Sequence, residues 1–164
     1  MDLGKVVVVA RKLVRISRGL PSNTEKKKAG GVLTLALDGM SDRHVIEVGK
    51  IASEKGDKYT RLSQEKAFRL YADWLRNPRQ TVSSWQTRQP EMDRWGGAVL
   101  FRPAGSCNII SFSGLTELCD EALSLLVGYK LGFPEEAGWA KRFTDISKNE
   151  AFYEMWREFN KDLL

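Results

Sequence analysis

The 164 residues of the chain, 42% of them hydrophobic, carry a formal net charge of +5. This size and composition indicate one compact domain with its own core, and no apolar run reaches the roughly 20 residues that span a membrane, so we expect a soluble, cytoplasmic protein. With two cysteines and one histidine, one chain cannot complete a zinc site built only from those residues, and it contains neither a GxSxG elbow nor a glycine-rich phosphate loop. The basic charge favours acidic partners, but its lysines and arginines are mixed with acids and follow no nucleic-acid-binding motif, so nucleic acid is not the favoured partner.

The first segment, residues 2–18, can be interpreted as a strand or as a helix. Four consecutive valines favour a strand, whereas five apolar residues recur at helical spacing. These are Val6, Val9, Leu13, Ile16 and Leu20. We favour an amphipathic helix because its other side would then carry Arg11, Arg15 and Arg18, and because Pro21 follows.

Two β-hairpins are predicted. Val32 to Leu37 and His44 to Ile51 are β-rich runs separated by turn-forming residues. Residues 96–101 and 108–114 repeat this pattern around a loop that contains Pro103 and Gly105.

A helix is predicted between the hairpins, over residues 61–76, because five apolar residues share one stripe before Asn77-Pro78. They are Ala67, Leu70, Tyr71, Trp74 and Leu75. The polar residues 53–60 before this helix are expected to form a loop. The longer loop that contains Trp85 and Trp95 should fold over something or cover a partner, because neither ring belongs in water.

Two further helices are predicted after the second hairpin. After the second hairpin, an enclosed helix should end at Gly132. At the tail, Ser147 and Glu150 have the spacing of a capping box, and an apolar stripe follows at Phe152, Met155, Trp156, Phe159 and Leu163. This order of elements predicts an α+β fold, an antiparallel sheet of two hairpins with helices packed on it. We expect one domain over residues 1–132 and a helical extension over 133–164 that packs on it or on a partner chain.

The corner between the second hairpin and the next helix combines glycine with acids. Ser113-Gly114 ends the strand, Thr116 is the expected N-cap, and carboxylates in the first turns would meet the positive end of the helix dipole. These are Glu117, Asp120 and Glu121. Gly114 suits the bend, and glycine also lets another molecule approach the backbone. The residues at this corner therefore either only begin the next helix or also line a functional site.

Over residues 96–122 the sequence resembles the GlcG-like, or haem-degrading, family, which includes HbpS-like haem-binding proteins. The resemblance lies in Gly96-Gly97 opening a strand, Ser113-Gly114 ending the next one, and Asp120-Glu121-Ala122 in the following helix. Cys119 stands where the family commonly has glutamine, and the proline usual after the two glycines is missing. The resemblance implies a profilin-like sheet, homo-oligomers, and haem or a related tetrapyrrole as ligand. The ligand site that it implies comprises Gly96, Gly97, Ser113, Gly114, Glu117, Asp120 and Glu121.

Single residues suggest further roles. His44 is the only imidazole that could bind a haem iron, although a lone histidine is more often a surface residue. Asp120 and Glu121 project about 100° apart on a helix, so we interpret them as helix-start residues rather than an acid/base pair. Glu117 and Glu121 share a face, where we expect a basic partner or a polar ligand group. Cys119 is more often an apolar core residue than a reactive thiolate.

Three functions remain open from the sequence. The first is an oligomeric protein that binds a small ligand, with Ser113, Gly114 and Glu117 closest to it. The alternative is a non-catalytic protein–protein interaction or assembly module that docks through the basic first helix, the Trp85 to Trp95 loop and the tail stripe. The third is nucleic-acid binding, which salt would weaken steeply. No residue pattern indicates whether the protein is an enzyme.

Overall fold

An antiparallel sheet with helices on both faces forms the fold. The computed structural model of the chain describes residues 2–134 and 137–161. Within them the helices and strands are α1 (Leu3–Ser17), β1 (Ala29–Leu37), β2 (Asp42–Lys50), α2 (Gly56–Arg76), β3 (Ala98–Phe101), β4 (Asn108–Ser113), α3 (Glu117–Lys130), α4 (Lys141–Ser147) and α5 (Glu150–Asn160). The four strands lie in the order β2, β1, β4, β3, and all neighbours are antiparallel. The predicted α+β class and both hairpins are confirmed.

Both faces of the sheet carry apolar side chains that pack against helices, since side chains alternate between the faces along each strand. One face belongs to the larger core, which also contains buried residues of α1, α3 and α5; its strand residues include Leu33, Leu35, Val99, Ile110 and Phe112. The other face packs on α2 through Ala36, Leu100 and Ile109. β4 lies in the middle and is buried along its whole length. None of the helices within the described residues is both long and apolar enough to cross a membrane.

The helix predicted for the first segment is confirmed. Asp2 caps α1 by accepting a hydrogen bond from the Lys5 N–H at 3.2 Å, and Val6, Leu13 and three further residues are buried. The helical spacing of the apolar residues therefore outweighs the strand preference of the valines, because α1 gains a core-facing side.

The start of α2 differs from the prediction. Residues 53–60 were expected to form a loop, but Ser53–Lys55 is a 3₁₀ helix and α2 already begins at Gly56. Asp57 lies in the first turn, where the helix dipole favours an acid. The buried side of α2 also differs: Leu75 is 59% exposed, whereas Lys66 is buried.

The capping box predicted for the tail is wrong. Ser147 is the last residue of α4, and Lys148 then adopts a left-handed conformation with φ +55°. The N-cap of α5 is Asn149, whose side chain accepts a hydrogen bond from the Phe152 N–H at 3.0 Å. Ser147 does not cap α5 because it still belongs to α4, two residues before the N-cap, and its hydroxyl donates to Glu121.

The tail stripe packs on its own chain. Phe152, Met155 and Phe159 are buried in the larger core, and α5 contacts α3 and α1. Trp156 is partly buried beside it, and Leu163 lies outside the described residues. Within the described residues, α5 therefore closes the domain.

Candidate functional site

The bend between β4 and α3 passes close to the start of β1. Gly114 has φ +149°, and a Cβ there would lie 2.4 Å from both the Gly30 O and the Gly31 Cα. Glycine is required because a side chain would collide with this neighbouring backbone. α3 follows Thr116, the predicted N-cap, whose side chain makes no capping hydrogen bond. The first-turn N–H groups of α3 are therefore not capped by Thr116.

A cavity of about 360 Å³ lies at this bend. The segment before β1, the first half of α2, the loop before β3 and the bend itself surround it. Its lining residues are Thr24, Glu25, Lys28, Lys58, Tyr59, Leu62, Lys66, Trp95, Ser113, Gly114, Leu115, Thr116, Glu117 and Asp120. Four of the predicted ligand-binding residues are thus brought together here: Ser113, Gly114, Glu117 and Asp120.

A buried ion pair joins α2 to α3 beside the cavity. Lys66 Nζ donates to Asp120 Oδ2 at 3.0 Å and to the Phe112 O at 2.9 Å, and the two charged side chains are 2% and 4% exposed. Asp120 Oδ1 also accepts a hydrogen bond from the Leu115 N–H at 2.9 Å. Burial raises the pKa of the Asp120 carboxyl, and the Lys66 charge and these hydrogen bonds oppose that rise. The pair therefore holds the backbone on both sides of Gly114.

Two glycines before β3 make room for the site without lining it. Gly97 has φ +116°, and a Cβ there would lie 2.8 Å from Asp120 Cβ and 3.1 Å from Lys66 Nζ. At Gly96 a Cβ would lie 2.4 Å from the Trp85 ring. Neither glycine is in the cavity wall, so the structure places them as spacers around the buried ion pair and Trp85.

Glu117 is held between the loop and the start of β3. It accepts hydrogen bonds of 2.8 Å from Arg88 Nε, from Arg88 Nη2 and from the Gly96 N–H. Burial raises the pKa of the Glu117 carboxyl, but the Arg88 and Gly96 hydrogen bonds and the Arg88 charge outweigh it, so the net pKa lies below its usual value. The basic partner expected for Glu117 is thus Arg88 of the same chain.

The loop between α2 and β3 folds over α2. Arg69 Nη1 donates to the Ser84 O at 3.0 Å and to the Thr87 O at 2.9 Å, while Nη2 donates to the Trp95 O at 2.6 Å. This arginine places Trp95 at the cavity. The prediction that the loop covers something is confirmed, since the covered element is α2.

Glu121 points away from the cavity. Its carboxylate accepts hydrogen bonds from Ser83 Oγ at 2.9 Å, from Asn149 Nδ2 at 2.8 Å and from Ser147 Oγ. Burial raises the pKa of the Glu121 carboxyl, and the three donors oppose that rise. The shared ligand site expected for Glu117 and Glu121 does not form, because Glu121 ties α3 to the segment between α4 and α5.

His44 lies apart from the cavity, on the edge strand β2. Its Nε2 is 3.0 Å from Asp42 Oδ1, and it is not a lining residue. In the described parts of the chain, no group of three or more histidine, cysteine, aspartate or glutamate residues could hold a metal ion. His44 therefore lies outside the bend cavity, and its role as a haem-iron ligand stays a prediction.

The lining residues that the sequence did not predict as ligand-binding include Lys28, Lys58, Tyr59 and Lys66. Lys66 had a local signal, because it lies between Leu62 and Leu70 at i, i+4 spacing on the buried stripe of α2. A lysine on an apolar stripe needs a buried counter-charge. The other three had no local signal, because only the fold brings them to the bend.

The charges at the cavity are paired except at its rim. Lys28 donates to the Leu115 O at 3.1 Å and pairs with Glu25, whereas Lys58 is exposed and forms no ion pair within 4 Å among the described residues, although its charge helps to lower the pKa of the Asp93 carboxyl. An unpaired ammonium and the positive end of a helix both favour an anion.

Comparison of the chain with protein-family models, curated proteins and solved structures gives no match.

Proposed function

We propose that the chain is a small-ligand-binding protein of GlcG-like type, with a profilin-like scaffold, and that a small organic anion binds at the β4–α3 bend. The observation that carries this proposal is the cavity of about 360 Å³ at the bend, whose lining includes Lys58 and the start of α3. Pockets that bind small molecules usually have volumes of roughly 300–1,000 Å³. The volume favours a ligand near the small end of that range.

The lining residues suit different parts of such a ligand. A carboxylate or phosphate group would accept hydrogen bonds from the first-turn N–H groups of α3 and from the Lys58 ammonium. Tyr59, Leu62 and Trp95 would surround the organic part. The buried ion pair would act as a positioning element, because it holds Phe112 O and Leu115 N–H on either side of the bend. We propose no reaction.

A tetrapyrrole is the larger candidate ligand, and Tyr59 is the residue that would bind its iron. Tyrosine serves as an axial haem ligand in some proteins, and Lys28 and Lys58 could pair with propionates. When bound, haem would supply an iron centre. His44 could not serve in this cavity, because it lies on β2 and outside the lining.

Titration of the purified protein with acetate, oxalate, inorganic phosphate and haemin tests the proposal. We expect saturable binding of at least one probe by calorimetry, and Lys58→Gln should weaken it about tenfold, since one charge-assisted hydrogen bond is lost. Lys55→Gln is the matched control, because Lys55 is an exposed lysine outside the cavity. Absence of binding for all four probes, or equal effects of the two variants, would contradict the proposal.

Haemin has its own pair of variants. If haemin binds in the cavity, its Soret shift should be lost in Tyr59→Phe and retained in His44→Ala. The reverse result would place the iron on β2 and remove the tetrapyrrole version of the proposal.

The other two functions have less support. The interaction module would have to dock without the tail stripe, whose Phe152, Met155 and Phe159 are buried in the core, and without the loop that Arg69 ties to α2. The basic side of α1 stays exposed at Arg11. Retention on DNA or RNA that rising salt abolishes would favour nucleic-acid binding.

A further inference from the structure

The two edges of the sheet differ. The outer edge of β3 is covered by the preceding loop, because Ser83 bridges to Val99 and the Leu100 N–H donates to the Val82 O at 2.8 Å. At the other edge, no strand or bridge among the described residues pairs with the outer side of β2. β2 is nine residues long, so it offers a row of backbone donors and acceptors to another strand.

An apolar patch lies beside this open edge. Val45 of β2 and Phe68 of α2 are each 44% exposed, and both line a cavity of about 440 Å³ between the strand and the helix. Phe68 also lies 5.3 Å from the Arg43 guanidinium. α2 leaves this part of the sheet uncovered because it packs on β1, β4 and β3.

The charges on this face of β2 are self-complementary. Arg43, Val45 and Glu47 point to the α2 side, since alternate residues of a strand share a face, and all three are exposed. Two antiparallel copies centred on Val45 would place each arginine opposite a glutamate. A centre on Arg43 or Glu47 would place like charges opposite each other, which is unfavourable.

We propose that two copies of the chain pair through β2, antiparallel about a two-fold axis at Val45, so that their sheets become continuous. Val45 then faces Val45 of the partner subunit, and Arg43 faces Glu47 of the partner subunit. The symmetry makes a second Arg–Glu pair at the other end. A two-fold axis at His44 or Ile46 would instead place Val45 opposite a charged residue.

The occupant of the edge is a second copy rather than an unrelated strand because opposite charges flank Val45, which makes the strand complementary to an antiparallel copy of itself. Protected edge strands commonly carry charges that repel another strand. Here the opposite charges four residues apart attract an identical antiparallel strand. The inference is independent of the ligand proposal, because no residue of β2 lines the cavity at the β4–α3 bend.

Sedimentation equilibrium on the whole chain tests this pairing, at concentrations from about 1 to about 300 µM, the range that a weak dimer requires. The variants are Arg43→Glu, Glu47→Arg and the double reversal, with Glu54→Arg as the matched control outside the strand. Each single reversal creates two like-charge pairs. We expect it to raise the dimer Kd roughly tenfold to a hundredfold.

The double reversal separates this pairing from a general charge effect. It restores two opposite-charge pairs, so its dimer Kd should return to within about threefold of the original value. Glu54→Arg should leave the Kd unchanged. A monomer throughout the concentration range, a dimer that ignores the single reversals, or a double reversal no tighter than the single ones would each overturn the proposal.

Discussion

Removal of one partner of the buried ion pair should destabilise the protein more than removal of both. Lys66 Nζ and Asp120 Oδ2 are 3.0 Å apart, so their attraction is about 5.5 kcal/mol at an effective dielectric constant of about 20. Much of this gain is offset by the desolvation of two ions. Asp120→Asn keeps an acceptor for the Leu115 N–H but leaves the lysine charge unpaired, so the free energy of unfolding should fall by about 3–5 kcal/mol.

The pH dependence should distinguish Lys66→Met from Asp120→Asn. In Lys66→Met, burial still raises the pKa of the Asp120 carboxyl and no ammonium opposes the rise. The folded state then binds this proton more tightly than the unfolded state. Its stability should therefore fall as pH rises from about 4 through the raised pKa and then level off, over a wider pH range than in the original protein, where the Lys66 ammonium opposes the rise. Asp120→Asn removes the titrating group and should lack this dependence.

Urea unfolding followed by tryptophan fluorescence measures these effects for the two single variants and for Lys66→Met/Asp120→Asn. The double variant has no unpaired charge, so it should lose less stability than Asp120→Asn alone, with a coupling energy of at least about 2 kcal/mol. An unchanged m value would show that each variant unfolds from a comparable compact state. Losses that add within about 0.5 kcal/mol would refute the reasoning, because uncoupled charges would not form a pair.

Three further predictions concern the fold around the site. Gly97→Ala should lower the free energy of unfolding in urea by about 3 kcal/mol or more, because its Cβ would lie 2.8 Å from the Asp120 Cβ. Gly105→Ala, also at positive φ but with nothing within 4 Å of its Cβ, should cost about 1 kcal/mol. Equal losses would contradict the steric argument. Met155→Ala should cost about 2–5 kcal/mol because it leaves a cavity in the core, and Met155→Leu should cost less than about 1.5 kcal/mol. A loss below this range for the alanine variant would show that α5 does not close the core. Burial raises the pKa of the Cys107 and Cys119 thiols to about 11, so a disulfide reagent at pH 8 should label them only after unfolding; rapid labelling of the folded protein would contradict their burial.

The secondary structure was predictable where a local pattern had no competitor. The hairpins and α3 follow from β-rich runs, turn residues and a glycine stop, all of which act between close neighbours. The tail shows the limit of such signals, because both Ser147 and Asn149 are good N-cap types. Asn149 is the N-cap of α5 because α4 extends to Ser147. No local pattern had predicted α4.

The sequence by itself determined the bend at Gly114, the acids behind it and the β-rich run that becomes β4, because these depend on residues close together along the chain. Only the tertiary structure decided which groups meet those acids. Asp120 pairs with Lys66, which lies 54 residues earlier in the chain, and Glu117 pairs with Arg88, which lies 29 residues earlier. The sheet order determines such pairings, because it sets which end of α2 and which part of the loop reach the bend. Local propensities contain no information on these pairings. A short motif can therefore predict the bend between β4 and α3 but not the basic residues that pair with its acids.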